Sequence, residues 1–298
     1  MPLWGVVAPN PPAISILRAE VRLGPVNGSM GDEGLYGTGS ATWQLMDSPL
    51  MWVAAARALY LQALHPKVMR ATWQHANFTD PDDAWARLRR TERFIMARTY
   101  GTVAEAERAG ARVRKIHASL TGTEPDGAQF RLDRPDLLLW VHCAEVASVA
   151  DVARRAGLHA DLDAFVAEQR RSAALVGLEA ETVPGSMSEL RACMQGVRPA
   201  LRACDEARMA LRLSFRPPVP DGSNGLRLGI PPFSALAFAT LPSWARRMYG
   251  GPADPVTSGA ATAILRAAHH ATPVAAKRRL SQAAVRAVQQ AEAEALGS

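Results

Sequence analysis

The chain has 298 residues, 48% hydrophobic and 21% charged, the balance of an ordinary soluble globular protein with one large core or two closely packed subdomains. Its formal net charge of +6 does not point to nucleic acid, because all basic residues except Lys67, Lys115 and Lys277 are arginines interleaved with Asp, Glu and Ala, without zinc-finger spacing, RNP-type aromatics or a long basic tract. No apolar run reaches the roughly 18–20 residues of a transmembrane segment, and the first residues lack the cationic flank and cleavage site of a signal peptide. Cys143, Cys193 and Cys204 show no CxxC spacing and leave one cysteine over in any pairing, which points to a reducing, cytoplasmic compartment.

Along the chain, residues 1–27 read as an N-terminal arm rich in Pro and Gly. The glycines of 28–39 suggest a phosphate loop, but the stretch lacks a GK[ST] ending and a preceding strand, so an access loop or lid is the better reading. Residues 50–65 are apolar nearly all round, as in a buried central helix that Pro66 ends or kinks. Asp80 is placed to cap a helix that opens at Pro81 and carries Arg87 to Arg98; Gly101 punctuates, and periodicity predicts a further helix over 104–120. The connector 121–134 has room for a short extended piece at 129–132. Pro135 opens and Gly157 closes another apolar helix. Helical periodicity returns in 161–176, 187–195, 199–214, 234–248, 254–270 and 274–296, while the prolines of 216–233 argue against regular helix there. Few runs alternate with period two, so the fold class is all-α: a single domain of about ten helices. Its expected parts are the arm, a catalytic region over 28–250 and C-terminal helices over 251–298 packed on the same domain. Apolar positions on the last helices, including Leu265, Val285 and Val288, suit core or a homo-oligomer contact equally.

Two helices carry the candidate chemistry. Arg87, Arg90, Thr91 and Phe94 follow i, i+3, i+4, i+7, which puts two guanidiniums and a hydroxyl on one face. Trp85, Phe94 and Ile95 imply that part of this helix is buried, and a buried guanidinium needs an anion beside it. On the next helix Val113, Ile116, His117 and Leu120 repeat the spacing, with the imidazole amid an apolar stripe. A lone inward histidine is more often a packed core residue than a ligand. Here His65 and His142 also fall on apolar faces, and Glu145 is spaced to hydrogen-bond His142 and set its tautomer. An apolar face with one histidine, beside clustered cations, suits a flat apolar macrocycle with an iron centre and anionic edges, as haem is. His269 and His270 read as surface residues; HExxH is absent, and His142 to Glu145 runs opposite to a di-iron Glu-x-x-His pair.

With those residues in place, the chain resembles a haem-dependent oxygenase family that includes the rubber-cleaving latex clearing proteins and the fungal oxygenase of mycophenolic acid biosynthesis. The landmarks are LQALHP (61–66), RLRRT (87–91), YGT (100–102), VRKIH (113–117) with Gly122, and LLLWVH (137–142). Further on stand the stretch 175–201 and LPSWARRMYG (241–250). The resemblance implies haem b as cofactor, with His117 as the axial ligand to iron. It places the R-x-x-[KR]-T motif on Arg87, Arg90 and Thr91, on the opposite side of the ring. Rubber-cleaving members carry lysine where this chain has Arg90. Arginine is a poorer ligand and a fixed cation, suited to polarising bound oxygen or holding a propionate. The segment 71–74 offers no counterpart of their distal glutamate, which points away from polyisoprene.

The expected activity is therefore oxidation of a hydrophobic small molecule with dioxygen or peroxide. Arg87, Arg90 and Thr91 are the catalytic candidates; His117, Arg87, Thr91, His65 and His142 are the cofactor-binding ones. The alternatives are a haem-binding sensor or carrier without turnover, and a helical scaffold without cofactor.

Overall fold

The computed structural model describes residues 34–219 and 224–272. The first half comprises α1 (Ala41–Met46), α2 (Met51–Gln62), α3 (Pro66–Gln74), α4 (Pro81–Tyr100) and α5 (Val103–Ser119), then a hairpin of β1 (Thr121–Thr123) and β2 (Gln129–Arg131). The second half comprises α6 (Pro135–Ala156), α7 (Leu162–Leu175), α8 (Met187–Val197), α9 (Asp205–Phe215), α10 (Asn224–Ala239), α11 (Ser243–Met248) and α12 (Pro255–Ala271). The fold is all-α, and its strands pair antiparallel with Gly122 opposite Phe130.

Local chemistry sets most boundaries. Pro occupies the first helical position of α3, α4, α6 and α12, where its missing N–H costs nothing. Asp80 accepts from the Asp83 amide at 2.9 Å, and Thr102 and Glu105 form a reciprocal capping box at the start of α5. Gly157 ends α6 at φ 76°, a left-handed conformation open to glycine without strain.

The core is built on α6. Trp140, Cys143, Ala144, Val146, Val149, Ala150 and Val152 pack against Met51, Val53, Ala54 and Leu61 of α2, and alanines at the seam let the two helices approach closely. Leu45, Phe165, Leu190, Ala237 and Leu265 close the core from α1, α7, α8, α10 and α12. Arg57 is 4% exposed yet satisfied: it donates to Ser148 Oγ at 2.8 Å and to the Thr240 carbonyl at 3.3 Å, and pairs with Asp151 at 3.4 Å. Burial pulls its pKa down to about 10 against the favourable Asp151 charge.

Four expectations are corrected. The helix over 50–65 is not buried all round, since Trp52 is 40% and Leu59 50% exposed. It ends at Gln62, ahead of Pro66 as expected, and Pro66 opens the next helix; the stretch 234–248 is not one helix, since α10 ends at Ala239 and α11 starts at Ser243. Residues 199–214 are not one helix: a 3₁₀ turn at Arg198–Ala200 and an extended link precede α9. Helix α10 runs through Pro231 and Pro232. It forfeits two internal hydrogen bonds there, on a turn open to solvent, since Leu228 is 78% exposed. The turns after Gly34 bear out the loop reading as far as they reach, while 1–33 and 274–296 lie outside the described residues. Leu265 is fully buried, so it belongs to the core.

Candidate functional site

Helices α4 and α5 form an antiparallel pair joined at Gly101 and Thr102. Gly34, at φ 69°, lies so close to this joint that a Cβ on it would meet the Gly101 carbonyl oxygen at 2.4 Å. Equal steps back along α4 and forward along α5 bring Arg87 opposite the last turn of α5, where His117 sits. The two side chains are near enough for the Arg87 charge to act on the imidazole.

The inward stripe of α5 is Ala106, Gly110, Val113 and His117, not one centred on Ile116, which is 46% exposed. Two of these four are too small to register as hydrophobic. The helix packs closely on α7 because Gly110 has no side chain: a Cβ there would meet the Leu175 carbonyl oxygen at 2.7 Å. His117 is half-buried. Its Nδ1 is buried without a partner, while Nε2 makes no hydrogen bond among the described residues and stays accessible. Burial lowers its pKa; the Asp133 carboxylate opposes this and Arg87 adds to it. The imidazole is neutral at pH 7.

His65 stands just before α3, also with a buried, unpartnered Nδ1 and a pKa lowered by burial, its charged neighbours being Asp136, Lys67 and Glu124. His117 and His65 thus flank the stretch from Asp133 to Asp136 that leads into α6. His142 lies about two turns along α6, 7% exposed, and burial pulls its pKa down to about 4. The expected hydrogen bond from His142 to Glu145 is not made. Glu145 instead accepts from Arg98 of α4, whose other Nη donates to Ser172 Oγ at 2.6 Å. A fully ionised guanidinium outcompetes a neutral imidazole for that carboxylate.

On α4, Arg87 is half-buried and its guanidinium lies 5.9 Å from the Phe78 ring centre. Among the described residues no carboxylate pairs with Arg87 or Arg90, and burial followed by the Arg90 charge lowers the Arg87 pKa. Arg90 and Thr91 are exposed, not part of a buried face, and Thr91 Oγ1 donates to the Arg87 carbonyl at 3.2 Å. Leu88, 41% exposed, adds apolar surface on the same helix. The end of the α4–α5 pair therefore presents a neutral imidazole with an accessible nitrogen, unpaired guanidiniums and uncovered apolar side chains. No group of three or more His, Cys, Asp or Glu is placed to hold a metal ion among the described residues. An open cleft of about 720 Å³ between Arg155, Arg246 and Arg266 lies at the far end of α6 from this site.

Residues 42–274 match the family described as ER-bound oxygenase mpaB/B'/rubber oxygenase, catalytic domain. The chain belongs to this family. The matched region begins within α1 and extends past α12, so His117, Arg87, Arg90 and Thr91 all stand inside an oxygenase catalytic domain. The protein is an enzyme of the oxygenase class. Comparison with curated proteins and with solved structures gives no match. No described helix of the oxygenase is long and apolar enough to cross a membrane.

Sequence reasoning missed Asp133 and Asp136, whose charges bear on His117 and His65, because nothing in the connector marks them off from solvated loop carboxylates. It also missed Arg98 as the partner of Glu145. Arg98 follows Arg87, Thr91 and Phe94 at helical spacing, so the stripe itself carried a signal for a second inward guanidinium beside Arg87.

Proposed function

We propose that this oxygenase depends on haem b and oxidises a hydrophobic small molecule, with dioxygen or a peroxide as oxidant. The observation that carries the proposal is the setting of His117: an imidazole whose Nε2 is accessible and unengaged among the described residues, across from an Arg87 guanidinium that has no carboxylate partner among them. The residues present fit the cofactor. Among the described residues the site offers one accessible imidazole, which suits a metal that brings its other ligands with it, and guanidiniums without a carboxylate partner beside apolar side chains suit a macrocycle with carboxylate edges. Haem, when bound, supplies the redox-active iron for oxygen or peroxide chemistry.

The chain's own residues have distinct roles in this reading. His117 would hold the iron, its accessible nitrogen being Nε2, and the nearby Asp133 charge favours imidazole basicity. Arg87, set over Phe78, holds an anionic edge of the cofactor. Arg90 and Thr91 face solvent on the same helix, so they are free to turn toward oxidant or substrate and to donate hydrogen bonds to developing negative charge. His65 borders the site at the start of α6, whereas His142 lies deeper along α6, beside Glu145 and Arg98. The exposed Leu88 and Ile116 add apolar surface on the two helices that carry Arg87 and His117.

Arg90→Ala tests the catalytic part. Oxygen uptake with a hydrophobic alkene or aromatic substrate should fall about tenfold or more, with haem content unchanged. Full activity with full haem content would show that Arg90 takes no part in catalysis, whereas haem binding without oxygen uptake in the wild type would favour a carrier or sensor.

A further inference from the structure

Cys143 of α6 and Cys193 of α8 lie with their sulfurs 3.3 Å apart, although 50 residues separate them in the chain. We propose that they form a redox modification site, in which a peroxide oxidises the pair to a reversible disulfide that ties α8 to α6. The inference is independent of whether His117 binds haem.

Three features support it. The sulfurs are already in contact, so bond formation needs an approach of only about 1.2 Å to reach the usual S–S length of about 2.05 Å. Exposure divides the roles: Cys143 is fully buried in the core, whereas Cys193 is half-buried on the outer helix, so an oxidant reaches Cys193 first. The ionisation follows the same order. The hydrogen bond shared by the two sulfurs pulls the Cys193 thiol down, against burial, while the Cys143 thiol is pushed up by that bond and by burial. Cys193 is thus the more readily ionised of the two, and the thiolate is the nucleophilic form. Cys204, whose thiol burial pushes up, has no sulfur partner and serves as an internal control.

The chemistry balances in two steps. The Cys193 thiolate attacks one oxygen of hydrogen peroxide, the O–O bond breaks, and with one proton taken up the products are a sulfenic acid and water. The Cys143 sulfur then attacks the Cys193 sulfur; the S–S bond forms, and hydroxide leaves with the Cys143 proton as a second water. Two thiols lose two electrons and the peroxide gains them. The product joins the core helix α6 to the stretch 175–201, which the sequence marks as a landmark without assigning it a task.

The test uses the full chain, reduced, freed of reductant and treated with a small excess of hydrogen peroxide. After alkylation under denaturing conditions, intact mass should show the loss of two hydrogens with one cysteine still alkylated, peptide mapping should join Cys143 to Cys193, and dithiothreitol should restore three free thiols. The oxidised form should also unfold several degrees higher than the reduced form. In Cys143→Ala, which removes the hydrogen bond to Cys193 as well as the resolving thiol, peroxide should oxidise Cys193 more slowly and leave it as a sulfenic acid that dimedone traps. Three alkylated cysteines after peroxide treatment of the wild type, or a crosslink through Cys204, would overturn the proposal, even if Cys143→Ala fails to fold.

Discussion

Replacing Glu145 with Ala removes the only carboxylate paired with Arg98 among the described residues. Arg98 is 6% exposed, and its remaining hydrogen bond is to Ser172 Oγ at 2.6 Å. Burial alone would lower the Arg98 pKa; the charge and hydrogen bond of Glu145 more than offset it, so the guanidinium stays ionised. The variant therefore leaves a buried cation with one neutral partner, which costs about 3–5 kcal/mol in fully buried pairs. The Glu145 side chain is 25% exposed, so water screens part of the pair and the expected loss is about 2–3 kcal/mol. For a domain of this size that lowers Tm by roughly 3–6 °C. Urea unfolding at pH 7 of Glu145→Ala, Arg98→Leu and the double variant closes a thermodynamic cycle, with an expected coupling of about 2 kcal/mol. Additive single losses, or a Glu145→Ala cost under about 0.5 kcal/mol, would show that the pair does not hold α4 to α6.

His142 gives the fold an acid-sensitive component. Its pKa is about 4 in the folded state and near 6.5 unfolded, so the unfolded chain binds the extra proton across that window and stability falls as pH drops through it. Urea midpoints between pH 7 and 4 should reveal a loss approaching about 3 kcal/mol that His142→Leu lacks; parallel pH profiles for the two proteins would contradict it. Two glycine replacements should have opposite signs. Gly110→Ala forces a Cβ to within 2.7 Å of the Leu175 carbonyl oxygen and should destabilise by about 1–2 kcal/mol despite better helix propensity. Gly259→Ala, with no atom within 4 Å of the new Cβ on exposed α12, should stabilise by about 0.5–1 kcal/mol in the same unfolding assay.

Signals that act over a few residues were legible in the sequence. Asp80 before Pro81, and Pro135 with Gly157, marked the bounds of α4 and α6 because caps and fixed φ angles are local effects. The prolines of α10 misled because packing of that helix outweighs two lost hydrogen bonds on an exposed turn. His117 was recognised as inward, but its stripe was drawn through Ile116 because Ala106 and Gly110, which make the contact with α7, carry little hydrophobic weight. Glu145 was assigned to His142 by spacing within one helix; its partner Arg98 stands 47 residues away, which periodicity cannot reveal. The same limit hid the contact between Cys143 and Cys193. The unpaired state of Arg87 and the accessible nitrogen of His117 likewise depend on how α4 and α5 are brought together.

The most direct test of the central claim is the absorption spectrum of the full-length protein, purified from cells supplied with iron and haem precursor, beside that of His117→Ala. The account predicts a Soret band with about one haem per chain in the wild type, shifted by carbon monoxide after reduction, and its loss in a folded His117→Ala variant. A colourless wild-type protein, or a variant with an unchanged Soret band, would contradict it.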